Sequence, residues 1–150
     1  MTIQILIADD HQLMRQGILA LIQNQPDMKV IAEAEDGLSA VELAAELSPQ
    51  VVLMDITMPV MSGIEATRRI LAANGSIKVI ALSVHVQKHF VLEMLSAGAL
   101  GYVLKDCAGK ELIKAIRRVS ENHTYLSHDI ADVVLKEIIH EHPIDDILSC

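Results

Sequence analysis

Aromatic residues and cysteine are scarce in this chain. Of its 150 residues, only Phe90, Tyr102 and Tyr125 are aromatic, so the core has to be built from Ile, Leu, Val, Ala and Met. The two cysteines, Cys107 and Cys150, show no metal-ligand spacing and no evident disulfide framework. A reducing compartment, the cytoplasm, is therefore the expected location.

Positive charge and long apolar runs are also lacking. The formal net charge of −8 argues against direct contact between these residues and a phosphate backbone, because such a surface is usually basic. No apolar stretch reaches the roughly 20 residues of a membrane-spanning helix, so we expect no membrane partner. The N-terminus has no basic segment before its first apolar run, and we expect no signal peptide. A single globular domain remains as the general class.

Short apolar runs alternate along the chain with segments of helical periodicity. The runs are rich in β-branched residues, which is typical of strands buried on both faces of a parallel sheet. The predicted strands are 3–8, 28–34, 51–54, 79–82 and 101–104. The predicted helices are 12–23, 38–47, 64–73, 88–97 and 108–121. This alternation predicts a doubly wound α/β fold, with five parallel strands in the order 2-1-3-4-5 and five flanking helices.

The pattern changes after Glu121. Residues 123–126 are predicted to form a loop, and Ser127 is the predicted N-cap of a sixth helix that ends before Pro143. The apolar stripe of this helix consists of Ile130, Val133, Val134 and Ile138. Because a sixth helix outside a completed five-stranded sheet needs another surface to cover, we interpret it as a linker or interface element.

Four of the apolar runs each end on polar residues. Asp9 and Asp10 follow the first run, Asp55 follows the third, Ser83 the fourth and Lys105 the fifth. The carboxyl ends of parallel strands lie at one edge of the sheet, where open α/β folds build their sites. We therefore expect three carboxylates, a hydroxyl and an ammonium to converge there, a combination that fits a divalent cation and a phosphoryl group.

Each of these groups has a chemical role in such a site. Clustered carboxylates repel one another and bind a cation, and Mg2+ would suit Asp10 and Asp55, with Asp9 further out. One carboxylate can also act as a nucleophile and form an aspartyl phosphate. Lys105 would meet the phosphoryl oxygens as a positive charge, and Ser83 would donate a hydrogen bond to one of them. A single Asp after a strand is more often a helix N-cap, but the coincidence of all these residues at strand ends weakens that explanation.

This set of residues resembles the receiver domain of two-component response regulators. The resemblance rests on Asp9-Asp10, on Asp55 at the start of the segment Asp-Ile-Thr-Met-Pro, and on Ser83 and Lys105, and it covers roughly residues 3–122. It implies that Asp55 accepts a phosphoryl group from a sensor histidine kinase. The domain would catalyse only its own phosphotransfer and autodephosphorylation, and would otherwise be a signalling domain and not an enzyme.

The resemblance also implies the metal ligands and the switch. Mg2+ would be held by Asp9, Asp10, Asp55 and the backbone carbonyl of Thr57. Ser83 and Lys105 would sense the phosphoryl group, and Tyr102 occupies the position of the family's switch aromatic. By this hypothesis, phosphorylation draws Ser83 and Lys105 towards the site, the loop after strand 4 follows, and Tyr102 then fills the vacated space. The face formed by helix 4, strand 5 and helix 5 would be remodelled as a result.

Three further segments, 83–85, 101–106 and 125–127, resemble the NarL/FixJ group, whose output is a LuxR-type helix-turn-helix. Asp106 fits that group, which often has Asp after the lysine. Residues 147–150 resemble the opening of the DNA-binding domain. The resemblance therefore implies a receiver over residues 1–122, and a linker helix with the start of a truncated output domain over 123–150. DNA would be bound only through the rest of that output domain.

Two apolar residues lie beside the core stripes of the first and fifth helices. They are Leu13 and Ile113, each displaced by about a quarter turn. Either they widen the buried face, or they form a homodimer interface on phosphorylation. Two rival functions also stay open: a degenerate receiver that acts as a constitutive dimerisation module, and a small Mg2+-dependent phosphatase. His85 is interpreted as an ordinary loop residue.

Overall fold

The computed structural model describes residues 2–141, in which strands and helices alternate as predicted. The strands are β1 (Ile3–Ala8), β2 (Met28–Ala34), β3 (Val51–Met54), β4 (Lys78–Ser83), β5 (Gly101–Leu104) and β6 (Tyr125–Leu126). The helices are α1 (Gln12–Gln23), α2 (Gly37–Leu47), α3 (Gly63–Ala73), α4 (Lys88–Ser96), α5 (Ala108–Ser120) and α6 (His128–Glu141). The predicted boundaries of the first five strands and helices differ from these by at most one residue at an end.

All strands run parallel in one sheet of order β2-β1-β3-β4-β5-β6. The predicted order 2-1-3-4-5 is confirmed, and β6 is an addition to it. The prediction of a loop over 123–126 was wrong for Tyr125 and Leu126, which pair with Gly101 and Tyr102. This addition covers the backbone N–H and C=O groups that β5 would otherwise expose at the sheet edge.

The core lies on both faces of the sheet, because successive side chains of a strand point in opposite directions. Ile5 and Ile7 of β1 pack with α1 and α5. Leu6 and Ala8 lie on the opposite face of the sheet, which α2, α3 and α4 cover. This two-sided burial is the reason that the strands appear in the sequence as continuous apolar runs. It leaves the carboxyl edge of the sheet as the place where polar side chains can gather.

Helix α6 packs against α4 and β5 of its own domain. Ile130 is fully buried there, Val133 and Val134 are partly buried, and an ion pair joins Lys88 of α4 to Glu137. Ile138, predicted to belong to the apolar stripe, is instead 45% exposed. The predicted helix end at Pro143 and the predicted output-domain segment lie outside the described residues. Within residues 2–141, we find no helix with the length and apolar character needed to cross a bilayer.

Candidate functional site

The polar residues at the strand ends lie at the carboxyl edge of the sheet. β1 and β3 are neighbours, and the backbone N–H of Asp55 donates a 2.9 Å hydrogen bond to the carbonyl of Ala8, immediately before Asp9. This pairing places Asp9 and Asp55 side by side. Ser83 is the last residue of β4, and Lys105 follows β5.

The ammonium of Lys105 lies between two buried carboxylates. Its Nζ atom is 2.8 Å from Oδ2 of Asp9 and 3.1 Å from Oδ2 of Asp55. Burial opposes the positive charge, but the close contact with the Asp9 carboxylate and the charge of Asp55 outweigh it and raise the pKa of Lys105. Lys105 is therefore a permanent cation at neutral pH, held where a phosphoryl group on either carboxylate would need a counter-charge.

Asp55 is buried, and its two carboxylate oxygens have different neighbours. Oδ1 accepts a 2.8 Å hydrogen bond from the backbone N–H of Ile56, and Oδ2 faces Lys105. Burial raises the pKa of Asp55, Lys105 counteracts this effect, and the charge of Asp9 adds to it. The carboxylate is thus kept in a setting that disfavours its own negative charge, which a bound cation would relieve.

Four residues at this edge can present ligand atoms to one metal ion. Atoms of Asp9, Asp10, His11 and Asp55 all lie within 4.8 Å of one another. Oδ2 of Asp9 is buried and accepts no hydrogen bond of standard geometry from the described atoms, although Lys105 Nζ lies 2.8 Å away. A buried oxygen with unused acceptor capacity, beside two further carboxylates, fits a hard cation such as Mg2+.

His11 was not predicted as part of this cluster. Its Nδ1 atom is 3.1 Å from Oδ1 of Asp10 and 3.3 Å from Oδ1 of Asp9. Its position directly after the acidic pair was the available signal in the sequence. The hydroxyl of Thr57 contacts the ring of His85. The role of the Thr57 carbonyl as a metal ligand stays a prediction.

The loops after β3 and β4 are joined through His85. Its Nε2 atom is 2.9 Å from Oγ1 of Thr57, and its ring stacks on Phe90 with 4.2 Å between the ring centres. Its backbone N–H donates a 3.0 Å hydrogen bond to Oγ of Ser83. His85 is therefore a bridge between the two loops, a contact that the sequence analysis did not predict.

Tyr102 occupies a fully buried, inward position. Its hydroxyl donates a 2.8 Å hydrogen bond to the backbone carbonyl of His85. Burial raises the pKa of Tyr102 to about 12, so the hydroxyl keeps its proton at neutral pH. The residue predicted as the switch is thus connected through His85 to Ser83, which was predicted to sense the phosphoryl group.

Arg15 also supports the site and was missed by the sequence analysis. This residue of α1 is buried, and its Nη1 atom donates a 2.6 Å hydrogen bond to the backbone carbonyl of Asp9. Its guanidinium also binds Glu33 at 3.1 Å and Glu35 at 3.3 Å. Arg15 therefore fixes the turn that carries the acidic pair.

Gly63, the first residue of α3, lies against the end of β3. A Cβ atom at this position would lie 1.8 Å from the carbonyl oxygen of Asp55. The N–H of Gly63 donates a 2.7 Å hydrogen bond to the carbonyl of Ile56. Only glycine allows the helix to approach the Asp55 backbone this closely.

Comparisons with known proteins agree with this geometry. Residues 5–117 match the family described as the response regulator receiver domain. The chain is 40% identical over 135 residues to the transcriptional regulatory protein DegU of Brevibacillus brevis, a match that covers 90% of this chain and 57% of DegU. It is 41% identical over 138 residues to LiaR of Bacillus subtilis, covering 92% of this chain and 65% of LiaR. The chain thus spans less than two thirds of the length of these two relatives.

Solved structures of similar proteins share the fold. A LuxR-family two-component response regulator from Aurantimonas sp. SI85-9A1 superimposes with a TM-score of 0.87 at 37% identity, covering 93% of this chain and 99% of the other. The signal receiver domain of the response regulator NarL from Mycobacterium tuberculosis gives a TM-score of 0.78 at 30% identity, covering 81% of this chain and 98% of the other.

Proposed function

This chain belongs to the response regulator receiver domain family, and on that premise we propose that Asp55 is its phosphoacceptor. The phosphoryl group would come from a sensor histidine kinase in the cytoplasm. The phosphorylated domain would control a DNA-binding output domain of the LuxR type that lies outside the described residues. The observation that carries the proposal is the placement of Lys105 Nζ between Asp9 and Asp55, beside the ligand cluster.

The chemistry of the transfer follows from the two sides of the Asp55 carboxylate. One oxygen would attack the phosphorus of the donor, a P–O bond would form, and the bond to the donor's leaving group would break with its electron pair. The N–H of Ile56 holds Oδ1, which fixes the plane of the carboxylate. Lys105 lies within reach of the oxygens that arrive on Asp55 and would balance their charge.

Mg2+ is the proposed cofactor. Asp9, Asp10 and Asp55, whose carboxylates lie close together, would hold it, and the family resemblance adds the backbone carbonyl of Thr57. When bound, the ion would neutralise phosphoryl oxygens and the repulsion among the carboxylates. Arg15 and its bond to the Asp9 carbonyl would keep the acidic pair oriented towards it.

The switch would operate through the loop after β4. In the described conformation Tyr102 points inward and is hydrogen-bonded to His85, whose N–H is bonded to Ser83. A phosphoryl group that binds Ser83 would draw this same loop towards Asp55 and favour the inward arrangement of Tyr102 over an outward one. A few kcal/mol of differential binding is sufficient for such a shift, as an order of magnitude.

A homodimer through α1 and α5 is the proposed consequence of phosphorylation. These helices contact each other on one face of the sheet. Leu13 is 82% exposed, so it does not widen the buried face, whereas Ile113 is partly buried. Helix α6 already covers part of the α4–β5 face, which leaves the α1–α5 face as the more accessible one.

Calorimetric titration with beryllofluoride, a phosphoryl mimic, tests the acceptor site. We expect the chain to bind beryllofluoride in the presence of Mg2+ and not in its absence, and we expect Asp55→Asn to abolish the binding. Asp27→Asn is the matched control, because Asp27 pairs with Arg117 on the surface and should leave binding unchanged. Equal binding by the Asp55→Asn variant would refute the acceptor assignment.

A further inference from the structure

Ser127, the residue between β6 and α6, uses all of its polar groups to connect three parts of the fold. Its N–H donates a 2.9 Å hydrogen bond to the carbonyl of Tyr102. Its hydroxyl accepts a 3.1 Å hydrogen bond from the N–H of Leu104 and donates one of 2.9 Å to Oε2 of Glu111. Its carbonyl accepts 2.9 Å hydrogen bonds from the N–H groups of Ile130 and Ala131.

The bonds to β5 lie at the functional end of that strand. Tyr102 is the proposed switch residue, and Leu104 directly precedes Lys105. Any displacement of this strand end moves the two backbone groups that hold Ser127. Ser127 is therefore bonded to this stretch of backbone twice, through its N–H at Tyr102 and through its hydroxyl at Leu104.

The bonds to α6 fix the first turn of that helix. The Ser127 carbonyl accepts hydrogen bonds from two N–H groups of the turn, and the side chain of Ile130 in this turn is fully buried. Ser127 itself is 1% exposed, so water cannot replace a hydrogen bond lost at this position. A shift of Ser127 therefore has to move the start of α6 or break one of these bonds.

Glu111 of α5 also binds Ser127, through the Ser127 hydroxyl. Its two carboxylate oxygens accept hydrogen bonds from Ser127 at 2.9 Å and from the hydroxyl of Tyr125 at 2.8 Å. Burial opposes the charge of Glu111, but these hydrogen bonds and one from Cys107 lower its pKa. The carboxylate is thus ionised at neutral pH and keeps the Ser127 hydroxyl directed towards α5.

We infer that Ser127 is a positioning residue that couples the phosphoryl-sensing end of β5 to helix α6. This inference rests on the proposed phosphorylation of Asp55. The end of β5 is bonded to Ser127 at Tyr102 and Leu104, and the Ser127 hydroxyl, held by Glu111, fixes the position of Ser127 between this strand end and the first turn of α6. A displacement of Lys105 and Leu104 is therefore transmitted to α6 in full only when the hydroxyl is present. Because α6 packs on both α4 and β5, a displacement of either element changes the contacts of α6. The first turn of α6 thereby receives the signal through a hydrogen-bonded route, in addition to any change in the packing around Tyr102.

Hydrogen exchange followed by mass spectrometry tests this coupling in the 150-residue chain. Exchange is measured with Mg2+ alone and with Mg2+ and beryllofluoride. In the unsubstituted chain, we expect beryllofluoride to change exchange both in peptides that contain Asp55 or Lys105 and in peptides of α6. Ser127→Ala removes only the two hydrogen bonds of the hydroxyl, to Leu104 and Glu111, and keeps the backbone bonds to Tyr102 and to α6. In this variant we expect the first change to persist and the second to be reduced, with α6 exchanging about fivefold faster in both states, as for one ordinary hydrogen bond.

Ser120→Ala is the matched control, since its hydroxyl makes a single 2.7 Å hydrogen bond to the carbonyl of Arg117 on the surface. We expect this variant to behave as the unsubstituted chain. Glu111→Gln is a second variant in case Ser127→Ala does not fold, because it weakens the same connection from α5. It should reduce the response of α6 and preserve the response around Asp55.

The outcomes separate the coupling from the acceptor site. The coupling is overturned if the α6 response to beryllofluoride is unchanged in Ser127→Ala. It is also overturned if the unsubstituted chain responds around Asp55 but not in α6. Both results leave the proposed function intact. Absence of any response around Asp55 in the unsubstituted chain overturns the proposed function and the coupling together.

Discussion

The hydroxyl of Tyr102 donates a 2.8 Å hydrogen bond to the backbone carbonyl of His85. This bond connects the strand that precedes Lys105 to the loop that follows Ser83. The two residues assigned to the switch, Ser83 and Tyr102, are therefore both hydrogen-bonded to His85 of this loop. His85 also contacts Thr57, which holds the loop to the β3 side of the site.

Tyr102→Phe should loosen this loop without removing the acceptor site. The substitution leaves the ring in place and leaves the partly buried His85 carbonyl without its donor, which costs about 1 kcal/mol of the free energy of unfolding. We expect a lower midpoint in thermal unfolding and faster amide exchange around His85, with phosphorylation of Asp55 retained. Complete loss of phosphorylation would show that Tyr102 takes part in the chemistry and not only in the switch.

Lys105→Met should destabilise the metal-free protein and make its stability depend more strongly on Mg2+ than that of the unsubstituted chain. Without the ammonium, the buried carboxylates of Asp9 and Asp55 face each other uncompensated, at a cost of roughly 3 kcal/mol, as for other broken buried ion pairs. Thermal unfolding with and without Mg2+ measures this, and the ion should restore part of the loss by binding the native state. Lys136→Met is the control, because its pair with Asp132 is exposed and worth at most about 1 kcal/mol. Equal effects of the two substitutions would contradict the account.

Gly63→Ala should disrupt the site through the backbone. The added methyl would overlap the carbonyl oxygen of Asp55, so α3 or the end of β3 has to move. We expect a loss of about 2 kcal/mol or more in chemical denaturation, typical of overpacking, together with weaker Mg2+ binding. Gly17→Ala in α1 meets nothing within 4 Å and should instead stabilise the protein by roughly 0.5–1 kcal/mol. Tolerance of Ala at Gly63 would mean that the close approach is not required.

Leu13→Glu should prevent the phosphorylation-dependent dimer and leave folding intact. Leu13 is 82% exposed, so the substitution removes no core contact, but it places a charge in the proposed α1–α5 interface. Analytical ultracentrifugation with Mg2+ and beryllofluoride should show a dimer for the unsubstituted chain and a monomer for the variant. Leu135→Glu on α6, where Leu135 is 56% exposed, is the control and should still dimerise. A dimer that survives Leu13→Glu but not Leu135→Glu would place the interface on α6.

The sequence was sufficient to predict the fold because the signals are strong and local. Runs such as Val51–Met54 have no polar residue, which is what burial on both faces of a parallel sheet requires. The receiver family is confirmed by the comparisons, and the strand order by the pairing of β1 with both β2 and β3. Asp9, Asp55 and Lys105 could be placed together from the rule that ligands bind at the carboxyl edge.

The remaining features depend on contacts between distant parts of the chain. β6 consists of Tyr125 and Leu126, too few residues to show a strand periodicity. Arg15 looks like a solvated helix residue in the sequence, and its burial results from the acceptors that Asp9, Glu33 and Glu35 supply. The bridge from His85 to Thr57 is made across two loops, and no pattern within either loop indicates it.

Phosphoryl transfer from acetyl phosphate, followed by intact-mass and peptide mass spectrometry, tests the central claim most directly. With Mg2+ present, we expect one phosphoryl group per chain, located on Asp55 and absent from Asp55→Asn. Chelation of Mg2+ should slow the labelling strongly. A phosphoryl group on another residue, or undiminished labelling of Asp55→Asn, would contradict the account.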